Sequence, residues 1–200
     1  MKKTLFLGLA LISITCANAQ SSKTSYEPFK VDIALGAAIP SGTGSKGGVL
    51  FAIEPKYAVM DQLSVGLRIE GAVTARGFAS SDGATASGKV AASSSYVATG
   101  DYYFNNNSFR PFAGAGVGIF QLASASFDGD EDLKVGSSSK FGGVVRAGFE
   151  VGHFRMGLEY NLIGKSTETV QDGTANPPTV SSKNSYLGIK VGFFIGGGKH

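Results

Sequence analysis

The chain has 200 residues, with 29 glycines, 14 phenylalanines, 7 tyrosines and no tryptophan, and only 16% of its residues are charged. That apolar, aromatic-rich composition excludes a disordered chain, and the length suits one domain. The net charge of +3 includes Lys2 and Lys3 of a segment expected to be removed, so the remainder is near neutral and offers no basic surface for nucleic acid.

The chain opens with MKKTLFLGLALISITCANAQ. Lys2 and Lys3 form a basic start, Leu5 to Ile14 an apolar run, and Ala17-Asn18-Ala19 a small-x-small cleavage site. This predicts a secretory signal peptide over 1–19, because the apolar run is short for an anchor helix and ends in a cleavage motif. Cys16, the single cysteine, falls inside it. Ser13 and Thr15 do not fit a lipoprotein signal, so the mature chain is expected to lack disulfides and thiolate metal sites. No later run approaches the roughly 20 apolar residues of a spanning helix.

A short polar leader, 20–28, precedes a domain expected over 29–195, followed by a tail, 196–200. Within the domain, period-two hydrophobicity and turn signals predict eight strands: 29–39, 49–59, 63–73, 94–104, 109–120, 141–151, 154–163 and 185–195. These match the roughly 9–11 residues of a tilted transmembrane strand and exceed the usual soluble strand of about 5–6. Short connections at Met60-Asp61-Gln62, Asn105 to Ser108 and Gly152-His153 alternate with long polar ones at 40–48, 74–93, 121–140 and 164–184. A transmembrane barrel has this alternation of short periplasmic turns and long outer loops, and an even strand number puts both chain ends on the short-turn side.

Sorted by face, the strands carry two different chemistries. One face holds Val31, Ile33, Leu35, Phe51, Ile53, Val65, Leu67, Tyr96, Val117, Ile119, Val145, Leu158, Val191 and Phe193, with no charge. The other holds Lys30, Asp32, Glu54, Lys56, Arg68, Glu70, Asp101, Arg110, Arg146, Glu150, Arg155, Glu159 and Lys190, with glycines between them. A water-soluble β-sandwich fits the same periodicity with its charges turned to solvent. Strand length, loop alternation, the signal peptide and two groups of aromatics favour the barrel. Phe29, Tyr57, Phe104, Phe109, Phe154 and Phe193 lie towards the short turns, and Phe51, Tyr96, Phe141 and Tyr160 towards the long loops, as interfacial girdles do. The fold class expected is therefore all-β, an eight-stranded antiparallel up-and-down transmembrane barrel.

The run RPFAGAGVGIF, 110–120, places Gly114, Gly116 and Gly118 at alternate positions. A dinucleotide loop needs a preceding strand, a following helix and an acid about 20 residues on. Here the glycines lie within a strand, facing the lumen, where they make room for charges and for Tyr103 and Phe112.

GDYYFNNNSFRPFAGAGVGIF resembles the central hairpin of small bacterial outer-membrane barrels, the porin-like group of outer membrane proteins X, W and A. VMDQLSVGLRIEG is similar to their second hairpin and YLGIKVGFFI to their last strand. The resemblance covers the mature chain and implies an outer-membrane location, lipid as the surrounding partner and the barrel-insertion machinery as a partner during biogenesis. Members often end on an aromatic residue, whereas Phe193 and Ile195 are followed here by GGGKH. A monomer is expected.

Seven basic and six acidic groups on the inner face should pair, because eight strands leave room only for side chains and an unpaired charge there is costly. This predicts a largely plugged, salt-bridged lumen; a narrow channel for small solutes is the alternative. No catalysis is expected, since His153 and His200 both fall on the short-turn side, away from the serine-rich loops. Asp128, Asp130, Glu131 and Asp132 lack the final glutamate of a calcium loop and read as a solvated tip. No cofactor or metal site is expected, and a surface-interaction role would sit in the long loops.

Overall fold

Eight of the ten strands among the described residues form the barrel: β1 (Phe29–Pro40), β2 (Ser45–Met60), β3 (Leu63–Gly77), β4 (Gly88–Tyr103), β5 (Phe109–Phe127), β6 (Leu133–Val151), β7 (Phe154–Ile163) and β10 (Tyr186–Gly196). The remaining two, β8 (Ser166–Thr169) and β9 (Thr179–Ser182), pair with each other. The structure is a computed structural model and describes residues 27–41, 45–77, 88–127, 133–169, 179–182 and 184–197. The expected signal peptide with Cys16, the leader up to residue 26, the acidic group 128–132 and His200 lie outside these residues.

Each wall strand pairs antiparallel with the next wall strand along the chain, β7 with β10. The ring closes where β1 meets β10, from Lys30 opposite Gly196 to Pro40 opposite Tyr186. Closure gives every wall strand a partner on both sides, which lipid demands of the part of a backbone that crosses it. Both described ends of the chain fall at the short-turn end. There Gly152 adopts φ of 57° in the β6–β7 turn, the left-handed conformation that favours glycine.

Five strands, β2 to β6, outrun their hydrophobic pattern. Both ends of the connections expected at 74–93 and 121–140 continue the ladder: Thr74 is registered opposite Ala91, Arg76 opposite Lys89, and Leu122 opposite Ser138. β2 likewise starts at Ser45, and the connection at 164–184 contains the β8–β9 hairpin. Alternating hydrophobicity is needed only where the wall meets lipid. Backbone pairing needs no such pattern, and serine, threonine and alanine continue the ladder beyond it. At the other end β4 stops at Tyr103, so Phe104 belongs to the turn.

Candidate functional site: the lumen

The outward face is as the alternation requires. Leu35, Val49, Val117, Ile119, Phe141, Leu158 and Phe193 are exposed, Phe141 by 74%. The inward charges are buried: Lys30, Asp32, Glu54, Lys56, Arg68, Glu70, Asp101, Arg146, Glu150, Arg155, Glu159 and Lys190 are each at most 9% exposed. A surface apolar along its strands around a charged interior inverts a water-soluble protein, where fully buried lysine, arginine, aspartate and glutamate are rare.

These twelve groups form one connected network of six cations and six anions. Near the short-turn end Lys30 and Arg155 donate to Glu150 Oε1, at 2.6 and 2.5 Å, and Tyr103 donates to the same oxygen at 2.8 Å. Arg155 also reaches Asp101 Oδ2 at 2.9 Å, where Lys56 converges at 2.8 Å. Lys56 approaches Asp32 to 2.6 Å.

Arg146 is the hub. Its Nε donates to Asp101 Oδ1 at 2.7 Å, its two terminal nitrogens reach Glu54 at 2.8 and 2.7 Å, and Nη1 lies 3.5 Å from Glu159. The planar guanidinium suits this because it presents five donors in a fixed fork. Beyond it Arg68 donates to Glu159 at 2.5 Å and to Asn161 at 2.8 Å; Lys190 joins Glu159 at 2.7 Å and pairs with Glu70, which also accepts from Tyr186. Thr99 donates to Glu54 at 2.5 Å. Arg110 stands at the short-turn mouth, half-buried. It stacks 4.2 Å over the Tyr103 ring and donates to the carbonyls of Asn105 and Asp61 at 3.4 and 2.6 Å.

The alternate glycines are contact points between strands. A β-carbon on Gly116 would lie 2.6 Å from the Ala98 carbonyl oxygen, 2.9 Å from Val97 Cγ1 and 3.0 Å from Thr99 Cγ2. On Gly118 it would strike the Tyr96 carbonyl, and on Gly114 the Asp101 carboxylate, with Arg146 Nε at 3.2 Å. The space left by Gly114 therefore holds the charge pair itself. Glycine also seats the inner aromatics. The Phe112 ring would meet a β-carbon on Gly148 at 2.8 Å and one on Gly157 at 3.5 Å, and Phe120 covers Gly142 at 2.8 Å. Arg155 caps the Phe112 ring at 3.7 Å, a cation–π contact.

On the loop side of the charges lies a layer absent from the sequence-based expectation. Ala38, Leu50, Ala72, Val97, Phe120, Val144, Ile163 and Tyr186 form one buried apolar cluster across the barrel, with Val97 and Phe120 fully buried. Doublets that are apolar on both faces mark it: Val49-Leu50, Tyr96-Val97, Ile119-Phe120, Val144-Val145 and Leu162-Ile163. Each breaks the alternation at the loop end of its strand's hydrophobic stretch. At the opposite end a cavity of about 260 Å³ opens between the short turns, lined by residues including Lys30, Asp61, Ser64, Arg110 and Glu150. His153, on its rim, lies 3.1 Å from the Phe194 carbonyl oxygen through Nδ1 and packs its ring on that side chain.

A closed eight-strand ladder, an apolar outer wall bearing aromatics and a charged interior define a class: a transmembrane β-barrel of the bacterial outer-membrane type. Solved structures of similar fold include Neisserial surface protein A, 18% identical over 86% of this chain and 97% of that one, with a TM-score of 0.49. Ail, the attachment invasion locus protein of Yersinia pestis, solved with the heparin analogue sucrose octasulfate, is 14% identical over 85% and 98%, with a TM-score of 0.47. The N-terminal β-barrel domain of Pseudomonas aeruginosa OprF is 14% identical over 85% and 99%, with a TM-score of 0.43. No protein-family model and no curated protein matches the chain. The class rests on the strand ladder and the two faces, not on these likenesses.

Proposed function

We propose that this chain is an integral protein of the bacterial outer membrane with a closed lumen and a structural or surface-interaction role rather than a catalytic one. The observation that carries this reading is the filled cross-section: a charge-balanced network lies directly beneath the apolar layer around Phe120. Ions crossing such a lumen would have to break several buried charge pairs and then wet an apolar constriction, and both steps are costly. The non-catalytic reading is supported by His153, which sits in a short turn against Phe194, far along the barrel from the loop side. Membrane lipid is the proposed partner of the outer wall, the insertion machinery serves biogenesis, and the protein acts as a monomer.

Planar-bilayer recording of the refolded protein tests the closed lumen. The unaltered chain is expected to give no large, stable conductance steps. Stable steps from the unaltered chain would replace this reading with that of a narrow channel.

A further inference from the structure

Asp101, Glu54 and Glu159 each receive cations on both carboxylate oxygens. Glu150 does not. Lys30, Arg155 and Tyr103 all converge on its Oε1, and Oε2, which is also buried, has no hydrogen-bond partner. An ionised carboxylate offers about four acceptor sites, and a buried acceptor left unmet is costly. Asp32 also has unmet oxygens but does not line the cavity at the short turns, whereas Glu150 does. We propose that this cavity is a binding site for a primary ammonium group, which completes Glu150 through Oε2.

Burial grades the cavity. Lys30, Ser64, Glu150 and Phe194 are at most 7% exposed and form its floor, while Glu27, Asp61 and Arg110 stand at the rim. The two cations of the wall are already placed. Lys30 Nζ lies between Glu150 Oε1 and the Tyr103 hydroxyl, and Arg110 lies over the Tyr103 ring and against the carbonyls of Asn105 and Asp61. The network beneath is balanced, and the rim adds two carboxylates to one guanidinium. An anion would meet the Glu150 carboxylate at the floor and is excluded. An ammonium brings three donors to a floor that offers Oε2 and the Ser64 hydroxyl as acceptors. The volume of about 260 Å³ is several times the roughly 30 Å³ share of a water, so a short alkyl chain fits with the charge.

Two sources offer this chemistry. Gly196 and Gly197 both take left-handed φ, 78° and 61°, so the chain turns as it leaves β10. Gly197 then lines the cavity, where a β-carbon on it would lie 2.9 Å from Lys30 Cβ. Lys199 follows two residues on. The other source is a soluble alkylamine in the compartment that the short turns face.

The test uses the full chain, refolded in detergent micelles, with n-butylammonium as probe and n-butanol, butyrate and tetramethylammonium as controls. The amide shifts of Asn107 and Gly152, which line the cavity, read binding. In the Lys199→Gly chain, n-butylammonium is expected to bind saturably and at least roughly tenfold more tightly than any control, the scale of one hydrogen bond to a charged group. Glu150→Gln should remove that preference. If Glu150→Gln does not fold, Glu27→Gln/Asp61→Asn at the rim decides. It should weaken n-butylammonium roughly two- to fivefold, as exposed ion pairs do, and leave n-butanol unchanged. Tighter binding to the Lys199→Gly chain than to the unaltered one assigns the site to the chain's own lysine, and equal binding assigns it to a soluble amine. No preference for n-butylammonium in the Lys199→Gly chain, or a preference that these carboxylate substitutions leave unchanged, would overturn the proposal.

Discussion

Replacing Arg146 with alanine is expected to destabilise the folded barrel by about 3 kcal/mol, the low end of the range for removing one partner from a buried ion pair. The guanidinium is buried and touches Asp101, Glu54 and Glu159. Its loss leaves a buried excess of negative charge in place of balance. The effect stays at the low end because each carboxylate keeps another cation: Asp101 keeps Lys56 and Arg155, Glu54 keeps Lys56, and Glu159 keeps Arg68 and Lys190. Arg146→Lys restores the charge but not the fork and should fall between the two. Arg110→Ala, at the half-buried mouth, should cost clearly less. Urea unfolding in detergent, followed by the gel shift between folded and unfolded forms, measures all three; equal losses at positions 110 and 146 would contradict the network.

The Gly116→Leu barrel is expected not to fold, while Ala115→Leu should be tolerated within about 0.5 kcal/mol, as exposed substitutions usually are. Removing a glycine from a strand is by itself favourable, so propensity cannot account for a loss at 116. The first β-carbon at 116 would already press on the β4 backbone at Ala98 and on Val97 and Thr99. The rest of a leucine would then have to displace the filled interior, and overpacking of that kind typically costs about 1–3 kcal/mol even where the backbone is free to move. Ala115 lies exposed on the outer wall, where added methyl groups meet lipid. Refolding yield on mixing with detergent reads both outcomes, and a folded Gly116→Leu barrel would show that the strands can part at this point.

How much of this was legible in the sequence differs by feature. Which residues face in and which face out follows from period two, because a one-residue slip would turn every charge into lipid. The reach of β4, β5 and β6 was not legible, since the hydrophobic signal ends where lipid ends while the ladder continues through SSSK and ASAS. The charges could be counted but not paired. Arg146 and Glu54 stand 92 residues apart and Arg68 and Glu159 stand 91 apart, and only barrel stagger brings them together. The apolar layer at Leu50, Phe120 and Val144 left a trace in the doublets, but alternation read strand by strand treats a doublet as noise. Only when five strands break the pattern at one height does it become a layer.

The inside-out arrangement on which everything else depends can be tested directly, because the chain contains no tryptophan. Single variants Val117→Trp and Leu158→Trp on the outer wall, and Asn107→Trp in a short turn, would be folded into vesicles containing lipids brominated along their acyl chains. Strong quenching and blue-shifted emission are expected from the two wall variants, with little quenching from Asn107→Trp. Folded barrels in which the wall variants emit as they do in unbrominated vesicles would show that this surface does not face lipid, and the transmembrane account would be wrong.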